Sequence, residues 1–131
     1  MLNRCRRAMY IPIVLLSLGL AVAVATGSLA DHGNLITSRN LAAMRAERAA
    51  DAFIDGCGGG GCRASAVNTT RLDGTRLSGC IQIVEGNLVL RVEGQVPWSP
   101  RVFTGLTPAS AVTAVQLGGF GPSATTVLAS C

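Results

Sequence analysis

The sequence predicts an α+β protein in which a long N-terminal helix, first transmembrane and then amphipathic, packs on a small antiparallel β-sheet. Three observations predict this. Residues 8–30 form a run without a single charge. A helical period of apolar residues follows that run, and after residue 80 the period changes to the two-residue alternation of strands. The chain therefore divides into a membrane segment and one small exported domain with a single core.

The uncharged run is long enough to cross a bilayer. As a helix it would span roughly 34 Å, against a hydrocarbon core of about 30 Å. Pro12 suits the start of such a helix, because its missing N–H would have no partner there in any case. Three arginines precede the run and none follows it before Arg39. The positive-inside bias therefore predicts a cytoplasmic basic N-terminus, residues 1–9, and one transmembrane helix, residues 10–30.

A cleaved signal peptide is the alternative for the same residues. The basic start, the apolar stretch and Ser28-Leu29-Ala30 together resemble a small-residue cleavage site before Asp31. Two features favour the anchor. The run exceeds the usual apolar stretch of a signal peptide, about 7–15 residues, and a helical pattern continues past the proposed cut. Under both interpretations the remainder of the chain is exported.

The charge distribution supports this topology. The formal net charge is +4, of which three charges precede the apolar run, while beyond it eight arginines face seven acids. The basic character thus reflects membrane orientation. A nucleic-acid surface would need a basic patch interleaved with aromatic residues, so we expect no nucleic-acid partner.

The cysteines predict a disulfide framework. Cys5 lies on the cytoplasmic side, and four cysteines are exported: Cys57, Cys62, Cys80 and Cys131. An even number in a small exported domain indicates bridges, and three pairings are open. Zinc is the alternative for four cysteines, but their long gaps lack the short paired spacing of structural zinc ligands. We therefore expect no metal and no cofactor.

Residues 31–56 carry the pattern of an amphipathic helix. One stripe at helical spacing is apolar: Leu35, Ala42, Ala46, Ala49 and Phe53. The opposite face, which we expect to be solvated, carries Arg45, Arg48, Asp51 and Asp55. The glycine run between Cys57 and Cys62 ends the helix, because glycine tolerates the backbone angles of a C-terminal cap.

Residues 57–117 are predicted to form a small disulfide-tied α+β domain with that helix. Between Cys62 and Arg71 we favour a short helix over irregular chain. Alternating apolar residues on either side of Glu85-Gly86-Asn87 predict a β-hairpin, and a third strand follows at residues 111–117. The crossing between them contains Trp98 and Phe103. The glycine-rich residues 118–131 are predicted to be a loose tail.

The sequence holds little that indicates catalysis. His32 is the single histidine, and it lies at the membrane boundary, far in sequence from every cysteine. The glycine run lacks the Gly-Lys-Ser/Thr of a phosphate-binding loop. Two carboxylate pairs, Asp51 with Asp55 and Glu85 with Glu93, are expected to be surface charges. We therefore expect no enzymatic activity.

A stripe of small residues lies in the transmembrane segment. Gly19, Ala23 and Gly27 recur every four residues, a pattern that lets helices approach closely in lipid. We expect this stripe, together with the apolar stripe around Phe53, to pack against other helices in an oligomer.

The stretch Arg45-Ala46-Glu47-Arg48-Ala49-Ala50-Asp51-Ala52 resembles a segment of the TadE/TadG-like pilus-assembly proteins of bacteria. In that family Arg-x-x-Ala-Ala-Asp-Ala-Ala lies just outside the membrane helix and is followed by a pair of cysteines and a β-rich tail. The resemblance implies a pilin-like fold and a bridge between Cys62 and Cys80, with Cys57 and Cys131 as the further pair.

The resemblance also implies a structural role in a tight-adherence, type IV-like pilus used in cell adhesion. Prepilins of this group carry a glutamate early in the apolar segment, whereas residues 1–30 here hold no acid. The implied role is therefore a minor pilin or a membrane-anchored assembly component, single-pass, whose partners are other pilin-like or pilus-assembly subunits. Its C-terminal domain would lie outside the membrane and could enter a surface filament. The alternative function is a secreted, disulfide-stabilised binding module released after Ala30.

Overall fold

A computed structural model describes residues 2–100 and 108–131 of the chain, with side chains described from residue 11 onward. The Cys5 side chain and the crossing residue Phe103, both named above, lie outside the described residues. The chain falls into two compact units. Among the described residues, one contains the chain up to Asn34 together with residues 99–100, and the other contains Leu35–Trp98 together with residues 108–131.

One helix, α1, runs over Leu2–Gly58, with Pro12 inside it. It ends within the glycine run, as the sequence predicts. The Gly59 N–H donates to the Asp55 carbonyl oxygen at 3.0 Å, and the Gly61 N–H donates to that of Gly56 at 3.2 Å. Gly60 has a φ of 127°, a backbone angle that residues other than glycine rarely adopt. These bonds satisfy carbonyl groups that the helix end would otherwise leave unpaired.

Four antiparallel strands form one sheet in the order β1, β2, β3, β4. They span Thr69–Thr70, Arg76–Val84, Asn87–Val96 and Ala109–Gln116. Strands β2 and β3 are the predicted hairpin, and the positive φ angles of Glu85 and Gly86, 50° and 81°, suit a two-residue turn between twisted strands. Strand β4 confirms the predicted third strand. The short strand β1 has no counterpart in the prediction.

The core lies between the C-terminal half of α1 and one face of the sheet. Four residues of the predicted apolar stripe are buried, namely Ala42, Ala46, Ala49 and Phe53, whereas Leu35 is half-buried. They meet side chains that alternate along the strands, including Leu77, Ile81, Leu90 and Val92. A Cβ built on Gly94 of β3 would lie 2.6 Å from the Ala42 carbonyl oxygen, so helix and sheet approach closely there. The predicted α+β fold, a long helix packed on an antiparallel sheet, is confirmed.

The predicted short helix after Cys62 is reduced to a single 3₁₀ turn at Ala64–Ala66. Beyond it the chain is extended, because Thr69 and Thr70 pair with the start of β2. The Asn68 side-chain oxygen Oδ1 accepts the Gly79 N–H at 2.7 Å and holds this segment against β2. Strand pairing therefore overrides the weak helical preference of the segment.

The prediction of a loose tail is wrong. Residues Gly118–Phe120 form a 3₁₀ turn, and a short helix α2 follows at Gly121–Thr125. Ala124 and Leu128 are buried in the core. The tail then runs beside β2, since the Ile81 N–H donates to the Ala129 carbonyl oxygen and the Ile81 carbonyl oxygen accepts the Cys131 N–H, both at 2.9 Å. The tail and β1 thus cover the same edge of β2, the edge opposite β3.

Candidate functional site

The apolar segment of α1 presents a hydrophobic surface along its length. Among the described residues, α1 is the one helix long and apolar enough to cross a membrane, and it lies near the N-terminus. Its large apolar side chains are exposed, with Leu16 at 75% and Leu20 at 66%. A contiguous surface of this kind on a soluble protein would be an aggregation hazard, whereas lipid covers it at no such cost.

The hydroxyl groups of this segment bond to the helix itself. The Ser17 hydroxyl donates to the Val14 carbonyl oxygen at 2.9 Å. The Thr26 and Ser28 hydroxyls likewise donate to carbonyl oxygens four residues earlier, at 2.9 and 2.8 Å. Because an unpaired polar group is costly in hydrocarbon, these bonds make the segment compatible with a bilayer interior.

The small-residue stripe is open over most of its length. Apart from the adjoining residues and the backbone of α1 itself, no atom lies within 4 Å of the position that a Cβ would take on Gly19, and Ala23 is exposed. Gly27 is half-buried. This geometry leaves room for a second helix to approach the backbone at Gly19 and Ala23.

Phe53 has a different role from the one that the sequence predicts. It is fully buried in the core of its own domain, in one cluster with Ala46, Ala49 and Ala50. The expectation that the Phe53 stripe packs against other subunits is therefore wrong, because the chain's own sheet already covers it.

Arg45 is also placed differently from the prediction. Instead of lying on a solvated face, its side chain is only 20% exposed, and Nη1 lies 2.6 Å from Oδ2 of Asp73. The same nitrogen donates to the hydroxyl of Thr75, which is fully buried. The long arginine side chain reaches from the edge of the helix to the turn between β1 and β2. We call this group of three residues the Arg45 clamp.

The Arg45 clamp holds its carboxylate in the charged form. Oδ1 of Asp73 accepts the Thr75 N–H at 3.1 Å. This bond, then the Thr75 hydroxyl, and then the Arg45 guanidinium lower the pKa of Asp73 below its usual value of 3.8. The clamp therefore joins α1 to the β1–β2 turn through an ion pair and one hydrogen bond, and a second hydrogen bond lies within the turn itself.

The disulfides correct the pairing that the family resemblance implies. Cys62 bonds to Cys57, and Cys80 bonds to Cys131. The glycine run turns the chain back onto the end of α1, which brings the first pair of Cα atoms to 4.1 Å. The tail returns along β2 and brings the second pair to 5.1 Å. A bridge between Cys62 and Cys80 is excluded in this structure because each sulfur is already bonded to another cysteine.

Most of the other candidate groups lie at the surface of the described part of the chain. His32, Asp51, Asp55 and Glu85 are exposed. Glu93 is half-buried and accepts a hydrogen bond from the Gln95 side chain at 3.1 Å. Within the part of the chain that the structure describes, no three histidine, cysteine or acidic side chains are grouped so as to hold a metal ion.

Two features of the domain could have been found in the sequence. A glycine inside a strand indicates close approach of another backbone, as Gly94 shows against α1. The Asp73-Gly74 dipeptide indicates a tight turn, and that turn supplies the acid of the Arg45 clamp.

No family model, curated protein or solved structure matches this chain.

Proposed function

We propose that the chain is a membrane-anchored structural subunit, a minor pilin or an assembly component of a tight-adherence, type IV-like pilus. The observation that carries the proposal is α1, a single helix of 57 residues. Its N-terminal segment exposes apolar side chains, and its C-terminal part supplies one side of a folded domain's core. The helix is thus both the anchor and a structural element of the domain.

The role would be mechanical and would involve no chemical step. Lipid holds the apolar segment, and the arginines before it keep the N-terminus in the cytoplasm. The domain then lies outside the membrane, in a compartment where its two disulfides persist.

Subunit packing would use the small-residue stripe, Gly19, Ala23 and Gly27. In lipid there is little hydrophobic drive between helices, so close backbone approach and van der Waals contact hold them together. The open space at Gly19 supports this use. The partners would be other pilin-like or pilus-assembly subunits, in an oligomer or a surface filament.

The resembling segment has structural uses that support the family assignment. Arg45 forms the clamp to the sheet, and Ala49 and Ala50 are buried where larger side chains would push helix and sheet apart. Small buried residues, beside a long cation that reaches across to the sheet, therefore suit a helix that lies flat on a sheet.

A secreted binding module is the second candidate, and one observation favours it. The buried core of the exported unit contains no residue before Ala42. A chain cut after Ala30 would therefore keep every side chain of that core.

Fractionation of cells that produce the full chain tests the two candidates. We expect the intact chain in the membrane fraction after alkaline washing, with mass spectrometry showing residues 1–30 still attached. Recovery of a soluble chain that begins at Asp31 would refute the anchor and favour the secreted module.

Substitution within the stripe tests subunit packing. Gly19→Ile should abolish co-purification with other membrane subunits, because the larger side chain fills the space at Gly19. The matched control is Leu18→Ile, which changes the neighbouring position while leaving the stripe intact. Equal co-purification of both variants would contradict the assigned role of the stripe.

A further inference from the structure

The turn between β1 and β2 presents a leucine to solvent. The Gly74 N–H donates to the Arg71 carbonyl oxygen at 3.0 Å, and the Arg71 N–H donates to the Thr75 carbonyl oxygen at 2.8 Å. Leu72 lies at the tip of this turn and is 110% exposed, more than any other large apolar side chain that the structure describes. Nothing in the domain shelters it.

This turn is held in place on several sides. The Arg45 clamp attaches Asp73 and Thr75 to α1. On the other side, a Cβ built on Gly74 would lie 3.2 Å from Cγ of Pro97, so the backbone is packed against that ring. Leu72 is therefore displayed on a fixed support, which reduces the entropy that docking would cost.

The charge around the exposed leucine is positive. The carboxylate of Asp73 is matched by Arg45, whereas Arg71 and Arg76 on either side of the turn are exposed. Arg76 and Glu93 line the same shallow groove, whereas Arg71 is not among the residues that line it. An apolar tip flanked by arginines is the combination that inserts among lipid headgroups and binds their phosphates.

We propose that the β1–β2 turn docks on the surface of a bilayer that contains anionic lipid. Leu72 enters the headgroup layer, and Arg71, assisted by Arg76, binds lipid phosphate. The proposal rests on the membrane anchoring proposed above, which keeps the domain close to lipid. It adds a second contact, specific for anionic headgroups, that the anchor alone does not require.

Hydrogen exchange of the full chain in lipid nanodiscs tests this docking. The discs contain either phosphatidylcholine alone or phosphatidylcholine mixed with phosphatidylglycerol. We expect the backbone amides of Leu72 and Asp73 to exchange severalfold more slowly in the anionic discs. Both Arg71→Gln and Leu72→Ser should remove that difference. Ile83→Ser, at an exposed apolar position beside the other hairpin turn, should leave it unchanged.

The outcomes separate docking from anchoring. If the chain stays in the disc and the turn exchanges equally in both lipids, docking is overturned and the anchor stands. Protection that Arg71→Gln leaves unchanged overturns the role of lipid phosphate. If the chain leaves the disc, the proposed anchor is refuted. Docking is then tested by adding vesicles of the same two lipid compositions to the chain and comparing hydrogen exchange of the turn between them. Protection that appears only when another protein is added overturns docking on lipid.

Discussion

Replacing Gly94 by alanine should push helix and sheet apart. The added Cβ would lie 2.6 Å from the Ala42 carbonyl oxygen and 3.3 Å from its carbon, both backbone atoms that no rotamer can move. Ordinary contact begins about 0.8 Å farther out, so the helix must shift by that amount and loosen the packing of its neighbour Ala46. Overpacking of this kind costs about 1–3 kcal/mol. At roughly 4–8 °C per kcal/mol for a domain of this size, the melting midpoint should fall by on the order of 10 °C.

Calorimetry of the full chain in detergent measures this effect. The matched control is Gly119→Ala, where no atom beyond the two neighbouring residues lies within 4 Å of the new Cβ and the backbone has no positive φ. Gly→Ala at such a site changes stability by less than about 1 kcal/mol, through the unfolded chain. If Gly94→Ala melts at or above the midpoint of the control, the close approach of α1 and β3 is refuted.

The remaining predictions concern the bridges and the clamp. Replacing Cys80 and Cys131 by serine should lower the free energy of unfolding by about 4 kcal/mol, and replacing Cys57 and Cys62 by serine should lower it by about 2 kcal/mol. The first loss is larger because the Cys80–Cys131 bridge closes the longer loop. Equal losses of melting midpoint would contradict this ranking. In the clamp, the lowered pKa means that the contribution of Asp73 is full above pH 3.8 and is lost as pH falls through the lowered value. Asp73→Asn should therefore melt below the wild type at neutral pH and approach it in acid, and a gap that widens in acid would reverse the assigned sign.

The helix and the hairpin were predictable because their patterns are local. Apolar residues at helical spacing marked the buried face of α1, and a Glu-Gly turn between alternating residues marked β2 and β3. The residue composition around Gly59 likewise indicated the end of the helix. Each of these signals lies within a few residues of the structure that it specifies.

The tail and the disulfide pairing were not predictable for the opposite reason. The tail contributes two apolar side chains to the core, Ala124 and Leu128, which are too few to establish a period. Its order comes from backbone bonds to Ile81, which lies far away in sequence. Once the tail is taken as loose, Cys131 has no defined position, and the pairing cannot be derived from spacing.

The same limit applies to the candidate site. The apolar segment and its small-residue stripe are sequence patterns, so they could be named in advance. Whether an amphipathic face is free or covered depends on what packs on it, and Phe53 and Arg45 were both assigned to the wrong surroundings. Thr75, buried and bonded to the arginine, carries no local signal at all.

The two edges of the sheet differ in what they permit when many copies of the chain lie close together. Strand β1 and the disulfide-held tail close the outer edge of β2, whereas within the described residues β4 has a strand partner on its β3 side alone. Continuous edge-to-edge stacking needs two open edges on every copy. Subunits can therefore join at most in pairs by this route. The covered edge of β2 prevents a fibre from growing by continuous pairing of sheets.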